Sequence, residues 1–426
     1  MKLKITIFIF TLLILNSNQA FSYAQGYPKI MGMNIGNPTN YDNTLYQKEM
    51  SKADALVMNF WPHWKEYKYG ANSIRKIVQN IKKLNSSLLI GQYTILNEAQ
   101  DSKAKDQGNI DRALKIEAED WWLRDASGNK VQWTKDFEAW DINITDYAKP
   151  DKQGLRYPEW LAQRNYDLYF KNVPEFSFWY LDNSLNNSPI SAADWQNKKV
   201  NLNSTTAEMA KAYRLGNIKY WQTIFSLQPN TLLVGNSDNL SSPEYRLRLN
   251  GGFLEAMIGK SWSLETWKGW KTMLARYYDF MDNTAAPKLT GFNVWGKVND
   301  YQRMRYGLTS CLMNNGYFSY TDETKGYASL PWFDEYDAKL GKPLDLPPVA
   351  AWQNGVYKRE FENGVVYVNP TSKSVNISNT ATLFRIAGKQ VPSINSGKLV
   401  GKEFTLPSKD GIIFLKSTNA KTMRKI

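Results

Sequence analysis

Short apolar runs of β type recur along the chain, and most are followed by stretches with helical spacing. The runs are 29–34 (KIMGMN), 55–60 (ALVMNF), 88–93 (LLIGQY), 176–181 (FSFWYL), 231–235 (TLLVG), 252–257 (GFLEAM), 289–295 (LTGFNVW) and the segment 308–320. Amphipathic segments at 73–84, 158–170, 206–225 and 264–281 lie between them. Strands that alternate with helices are joined by crossovers, which makes the sheet parallel. Eight such units over about 300 residues fit a (β/α)8 barrel with insertions. A doubly wound sheet would carry a Gly-rich phosphate loop after its first strand. Met31-Gly32-Met33-Asn34-Ile35-Gly36 lacks that spacing.

The interval between Tyr93 and Phe176 is long for a connection and holds Trp121, Trp122, Trp133 and Trp140, with turn signals at Ser127-Gly128-Asn129. Loops of that length are usually functional, so this one is expected to fold over the barrel mouth as part of a cleft. Lys342-Pro343 and Pro347-Pro348 mark a boundary. Beyond it only strands and turns are read: a hairpin from 356–361 and 365–368 around Glu362-Asn363-Gly364, then 374–377, 382–386, 401–406 and 411–415. The expected organisation is a barrel over 25–345, a small antiparallel β-sandwich over 346–417, and a basic tail over 418–426 that is expected to be disordered.

Residues 1–24 read as a cleavable signal peptide: Lys2 and Lys4, an apolar run over 5–15, polar 16–19, then Ser22-Tyr23-Ala24 before Gln25. That run is too short for a stable anchor, and no later stretch reaches the roughly 20 apolar residues of a membrane span. No Cys lies at the cleavage region, which disfavours a lipoprotein. The mature protein is expected to be secreted or periplasmic.

Composition narrows the chemistry. The 426 residues contain one His, His63, and one Cys, Cys311. A zinc site takes about four Cys or His ligands, or three when catalytic, so metal hydrolysis is disfavoured and no metal or cofactor is expected. A disulfide needs a second Cys, and Cys311 is expected to be a buried, inert thiol. His63 is read as a structural group or substrate hydrogen-bond donor, with a nucleophilic triad around it disfavoured. The 16 Trp, 25 Tyr and 18 Phe exceed what a core of this size needs, so flat rings are expected to work outside it. The charge of +13 is scattered, and no nucleic-acid motif accompanies it.

In a barrel of this kind the catalytic groups sit at the C-terminal ends of strands. Asp182 ends the most aromatic run, and Glu255 lies at the end of Gly-Gly-Phe-Leu-Glu-Ala-Met. Two carboxylates facing one cleft are the minimum equipment for glycoside hydrolysis, and they need neither His nor metal. Asp182 could instead form an Asx turn with Asn183 and Ser184. Glu255 could be a structural acid paired with an Arg or Lys. Asp238, in Gly235-Asn236-Ser237-Asp238-Asn239, competes for the acid role, with Asn236 and Asp238 otherwise read as substrate ligands. Asp141, in Trp140-Asp141-Ile142-Asn143, reads as a loop-ordering or sugar-hydroxyl ligand. Trp61, Tyr93 and Trp295 terminate strands and are expected to pack on sugar C–H faces.

Several pieces resemble a family of hypothetical bacterial glycoside hydrolases with a (β/α)8 barrel. They are Gly91-Gln92-Tyr93, Trp140-Asp141-Ile142-Asn143, Trp179-Tyr180-Leu181-Asp182-Asn183, Gly252-Phe253-Leu254-Glu255 and Arg305-Tyr306-Gly307-Leu308. The segment from Arg359 to Pro370 is similar to that family's C-terminal hairpin. The resemblance implies the barrel and a sugar-cleaving role without naming the sugar. A strand-four Asp with a strand-six Glu also resembles the clan of α-galactosidases, which implies a nucleophile in the first and an acid/base in the second. That clan's second residue is usually Asp, so the roles stay open here. The expected function is hydrolysis of a poly- or oligosaccharide. The rival is a non-catalytic carbohydrate-binding barrel, which needs the rings but not both acids; a deacetylase is disfavoured by the lack of metal ligands.

Overall fold

The computed structural model describes residues 26–417 except 71, 106, 107, 238 and 241. The expected signal peptide, the tail and Asp238 therefore lie outside the described residues. Eight strands form one parallel sheet in sequence order: β1 (Met31–Asn34), β2 (Ala55–Met58), β3 (Leu89–Ile95), β4 (Phe178–Asp182), β5 (Leu232–Gly235), β6 (Gly251–Ile258), β7 (Gly291–Gly296) and β8 (Tyr317–Asp322). Ile30 bridges Phe318 in parallel, and the Phe318 amide donates to the Lys29 carbonyl at 2.8 Å, which brings the last strand back to the first. The fold is a (β/α)8 barrel.

Alternation along each strand explains how the barrel fills. Successive side chains of a strand point to opposite faces. Met31 and Met33, Ala55 and Val57, Phe178 and Tyr180, and Leu232 and Val234 form an inner cluster, while their neighbours Leu56, Trp179, Leu181 and Leu233 join the core beneath the helices. Room inside is tight. A Cβ on Gly91 would collide with the Phe178 ring, so a glycine on β3 makes space for an aromatic on β4.

The outer layer holds α1 (Thr44–Met50), α2 (Ile74–Leu84), α3 (Ile110–Ala118), α4 (Tyr157–Asn165), α5 (Ala207–Leu227), α6 (Leu264–Lys268), α7 (Trp270–Asn283) and α8 (Tyr301–Cys311). Helix α2 shows the local logic. Ser73 caps it by accepting from the Lys76 amide, Lys82 and Lys83 sit in its last turn, and Ile74, Ile77, Val78 and Ile81 form its buried face. The segment 264–281 breaks in two at Gly269, whose φ of +81° ends one helix and starts the next. Among the described residues no helix is long and apolar enough to cross a membrane.

Another element also differs from the sequence reading. The segment 308–320 is not a single strand: its start is the last turn of α8, capped by Asp300, and only Tyr317–Asp322 is strand. Every residue of α8 from Met304 to Cys311 is buried, so the helix shows no polar stripe there and its run looks like that of an inner strand. Cys311 sits in this helix, fully buried, with its thiol pushed up to about 12 by burial.

The C-terminal strands are β9 (Tyr357–Phe361), β10 (Gly364–Asn369), β11 (Val375–Ser378), β12 (Phe384–Arg385), β13 (Glu403–Leu406) and β14 (Asp410–Leu415). All pair antiparallel, as a sheet in the order β9-β10-β14-β12 and a separate pair β11-β13, and none joins the barrel. They enclose their own core of Val365, Tyr367, Phe404, Leu406 and Phe414. The sheet is fastened to α8 by the buried pair Arg305–Asp410.

Candidate active site

Asp182 is the last residue of β4, and the alternation that turns Phe178 and Tyr180 inward turns it inward as well, one layer above them. Asn183, at φ +50°, then leaves the strand, and its amide donates to Asp182 Oδ1 at 3.0 Å. The turn role and the cleft position thus coexist at Asp182. Glu255 arrives differently. It is not at the end of β6 but inside it, where the pairing with β7 slips between Leu254 and Ile258. Ala256 takes a φ of +47°, its amide donates to Asn293 Oδ1 at 3.0 Å, and its carbonyl accepts from Ser263 Oγ at 2.6 Å. Glu255 precedes this bulge and faces inward by the same alternation, two residues past Phe253 of the inner cluster, and side chains from neighbouring segments satisfy the peptide groups the bulge frees.

Asn236, just past β5, joins the two acids. Its Nδ2 lies 3.0 Å from Asp182 Oδ1 and 3.2 Å from Glu255 Oε2. The Tyr93 hydroxyl donates to Asp182 Oδ2, and the Tyr327 hydroxyl to Glu255 Oε1 at 2.6 Å. Burial raises the pKa of Asp182, opposed by its donors Tyr93, Asn236 and the Asn183 amide. Burial also raises that of Glu255; the Tyr327 hydroxyl opposes this and the Asp182 charge adds to it.

The acids open into a cleft of about 990 Å³. The long insertion supplies one wall, through the short strands Glu98–Gln100 and Ala139–Asp141, residues 136–138, Asn109 and Arg112 of α3, and Trp133. Trp133, Phe137 and Trp262 line the cleft while remaining 42%, 58% and 55% exposed, so part of each side chain is open to a ligand.

The sequence-expected residues are distributed unevenly around this cleft. Tyr93 and Asn236 line it beside the acids. Tyr93 stacks on Tyr180 at 5.6 Å and spends its hydroxyl on Asp182, which suits it to orienting the acid rather than carrying a sugar face. Trp61 and Trp295 are absent from the lining. Trp61 is half-buried against the outer core. Trp295 stands behind Tyr327, edge to face at 5.2 Å, with Lys260 Nζ 3.9 Å over its ring. The open rings are instead Trp133, Phe137 and Trp262, which belong to loops rather than strand ends. His63 is exposed and outside the cleft lining. Glu98, Arg112 and Tyr327 were missed by sequence reasoning. A carboxylate three residues past β3 could have been found by the rule that found Asp182; Tyr327 carries no local signal.

Asp141 is buried in the insertion hairpin, where its Oδ2 accepts from the Trp133 amide at 3.0 Å. Its pKa is pushed up to about 8, by burial first and the Glu98 charge second. The folded state therefore binds a proton that the unfolded state has released, and stability from this group falls as pH rises from about 4 to about 8. Asp141→Asn is expected to gain melting temperature over the wild type progressively across that window; a gap that stays constant from pH 5 to pH 8 would contradict the assignment.

The chain is similar to several solved structures. An α-amylase from Anoxybacillus is 12% identical and covers 91% of this chain and 97% of its own, with a TM-score of 0.48. A GH36 α-galactosidase from Geobacillus stearothermophilus is 10% identical, with a TM-score of 0.45 over 93% of this chain and 56% of its own. No curated protein matches the sequence. The family described as hypothetical glycosyl hydrolase family 15, GHL15, matches residues 82–365, a span that runs from the end of α2 into β10 and contains every acid and ring of the cleft named above. Across two thirds of its length, a span that holds both candidate catalytic acids, the chain belongs to the hypothetical glycosyl hydrolase family 15.

Proposed function

We propose that the chain hydrolyses glycosidic bonds of a poly- or oligosaccharide, with Asp182 and Glu255 as the reacting carboxyl pair. The observation that carries this reading is the single Asn236 amide shared between the two acids. The oxygens that share it can be no further apart than the sum of those two contacts. We read the pair as a retaining one acting through a covalent glycosyl intermediate, with the anomer of the first product as its test. Asp182 accepts three hydrogen bonds, from Tyr93, Asn236 and the Asn183 amide, which favour its ionised form and suit it as nucleophile. Glu255 lies beside that charge, which favours keeping its proton and suits it as the acid that protonates the leaving oxygen. Release of reducing ends from a polysaccharide panel, followed by NMR of the first-formed anomer, tests the reading. An inverted product would remove Asp182 as nucleophile. We read the substrate as lying outside the cytoplasm, on the strength of the leader-like residues 1–24.

The two tyrosines yield a paired pH prediction. Tyr327→Phe removes a donor that stabilises the Glu255 carboxylate, so the Glu255 pKa rises and the alkaline limb of kcat/KM moves up. Tyr93→Phe removes a donor to Asp182, so the acid limb, which requires the ionised nucleophile, moves up instead. Shifts in the opposite limbs would exchange the roles of the two acids.

A further inference from the structure

The cleft has the opposite charge to the protein around it. The chain carries +13, yet the cleft is lined by five carboxylates, Glu98, Asp136, Glu138, Asp182 and Glu255, and one guanidinium, Arg112. Two of those acids belong to the proposed reaction. Glu98 does not, and its placement is costly. It is only 8% exposed, and in the insertion hairpin it pairs directly opposite Asp141. Like-charged residues opposite each other on an antiparallel pair destabilise it, and burying a carboxylate adds to the cost.

Protonation relieves half of this conflict, since Asp141 keeps its proton up to about pH 8. Burial raises the pKa of Glu98 as well, opposed by the Trp133 indole, and of the two Glu98 is the member that faces the cleft. Its Oε2 accepts from the Trp133 indole, and its Oε1 accepts no hydrogen bond among the described residues. Arg112 is close but committed elsewhere: Nε donates to the Tyr157 hydroxyl at 2.7 Å, and Nη2 to the carbonyls of Ile95 and Glu98 at 2.9 and 2.7 Å. It touches the backbone of Glu98 and not its carboxylate.

Resting on the hydrolase reading above, we propose that the sugar polymer bound in this cleft is polycationic, a hexosamine chain carrying free amino groups, and that Glu98 receives one of its ammonium groups. An ammonium supplies both what Glu98 lacks, a donor to Oε1 and a compensating charge, in a short charge-assisted hydrogen bond. The open rings of Trp133, Phe137 and Trp262 add attraction for a cation besides stacking on the sugar. A uronic acid polymer would meet the like charges of Glu98 and Asp182. A neutral sugar hydroxyl would bond to Glu98 but leave its charge unmatched.

The test is calorimetric binding at pH 7 of glucosamine and galactosamine oligomers, each as the free amine and as the N-acetylated form. The wild type is expected to bind a free-amine oligomer at least about ten-fold more tightly than its N-acetylated counterpart. Added salt should shrink that advantage, and Glu98→Gln should abolish it. Equal affinity for the two forms, binding to neither, or a preference that survives intact in Glu98→Gln overturns the proposal. Hydrolysis assays on the same oligomers and on neutral polysaccharides keep the two readings apart. Cleavage with no amine preference removes this inference and leaves the hydrolase. Amine-selective binding with no cleavage of any polymer keeps this inference and removes the hydrolase.

Discussion

Asp182→Asn and Glu255→Gln are each expected to lower turnover by at least about 10³-fold while the chain stays folded. The amides preserve size and polarity but can neither attack an anomeric carbon nor deliver an acidic proton. The Asn at 182 would present an NH2 group among the three donors that now converge on the carboxylate, at some cost in stability. Removing a charge whose burial is itself unfavourable works in the other direction. Melting temperature measured beside activity separates the two effects. Azide supplied to Asp182→Gly and Glu255→Ala should then assign the roles. The glycosyl azide is inverted where the nucleophile is missing and retained where the acid/base is missing. Turnover close to wild type in either amide variant would remove that residue from the mechanism and bring Asp238 forward in its place.

The second large effect is expected far from the cleft, where the β sheet meets the barrel. Arg305 Nε and Nη2 lie 3.0 and 2.8 Å from the two carboxylate oxygens of Asp410, with side chains only 6% and 4% exposed. Arg305→Met should destabilise the chain by about 3–5 kcal/mol, because it strands a buried carboxylate without its cation. The interface leaves little room for water to reach it: a Cβ on the adjacent Gly411 would collide with the Thr309 side chain. Replacing both partners, Arg305→Met with Asp410→Leu, should recover most of the loss, since neither charge then remains to be solvated. Urea unfolding of the two variants checks this. A loss under about 1 kcal/mol for the single variant would show that water reaches Asp410 after all.

Much of the architecture was legible because its signals are local. Each barrel strand declares itself by its own apolar residues, and the crossover helices by a spacing that a dozen residues suffice to show. Asp182 was legible for the same reason, since its place at the end of Phe-Trp-Tyr-Leu-Asp is a property of that strand alone. The length of the insertion pointed to a cleft wall without showing which of its rings would face inward. Where burial surrounds an element, local patterning fails, and the start of 308–320 looked like strand because α8 has no solvent side there.

Tertiary structure decided the remainder. Tyr327 reaches Glu255 from a loop 72 residues further on, because barrel closure returns β8 beside β1 and draws its following loop over the mouth. Glu255 is held beside the other acid by Asn236 and Tyr327, from separate segments, and the bulge that follows it is supported by Asn293 and Ser263. Asn236 can link two acids because β5 stands between the strands that carry them. Glu98 and Asp141 oppose each other only once the insertion folds into a hairpin. In each case the deciding contact joins residues distant in sequence, and the energy that selects it comes from burying them together, a quantity that no single stretch of chain contains.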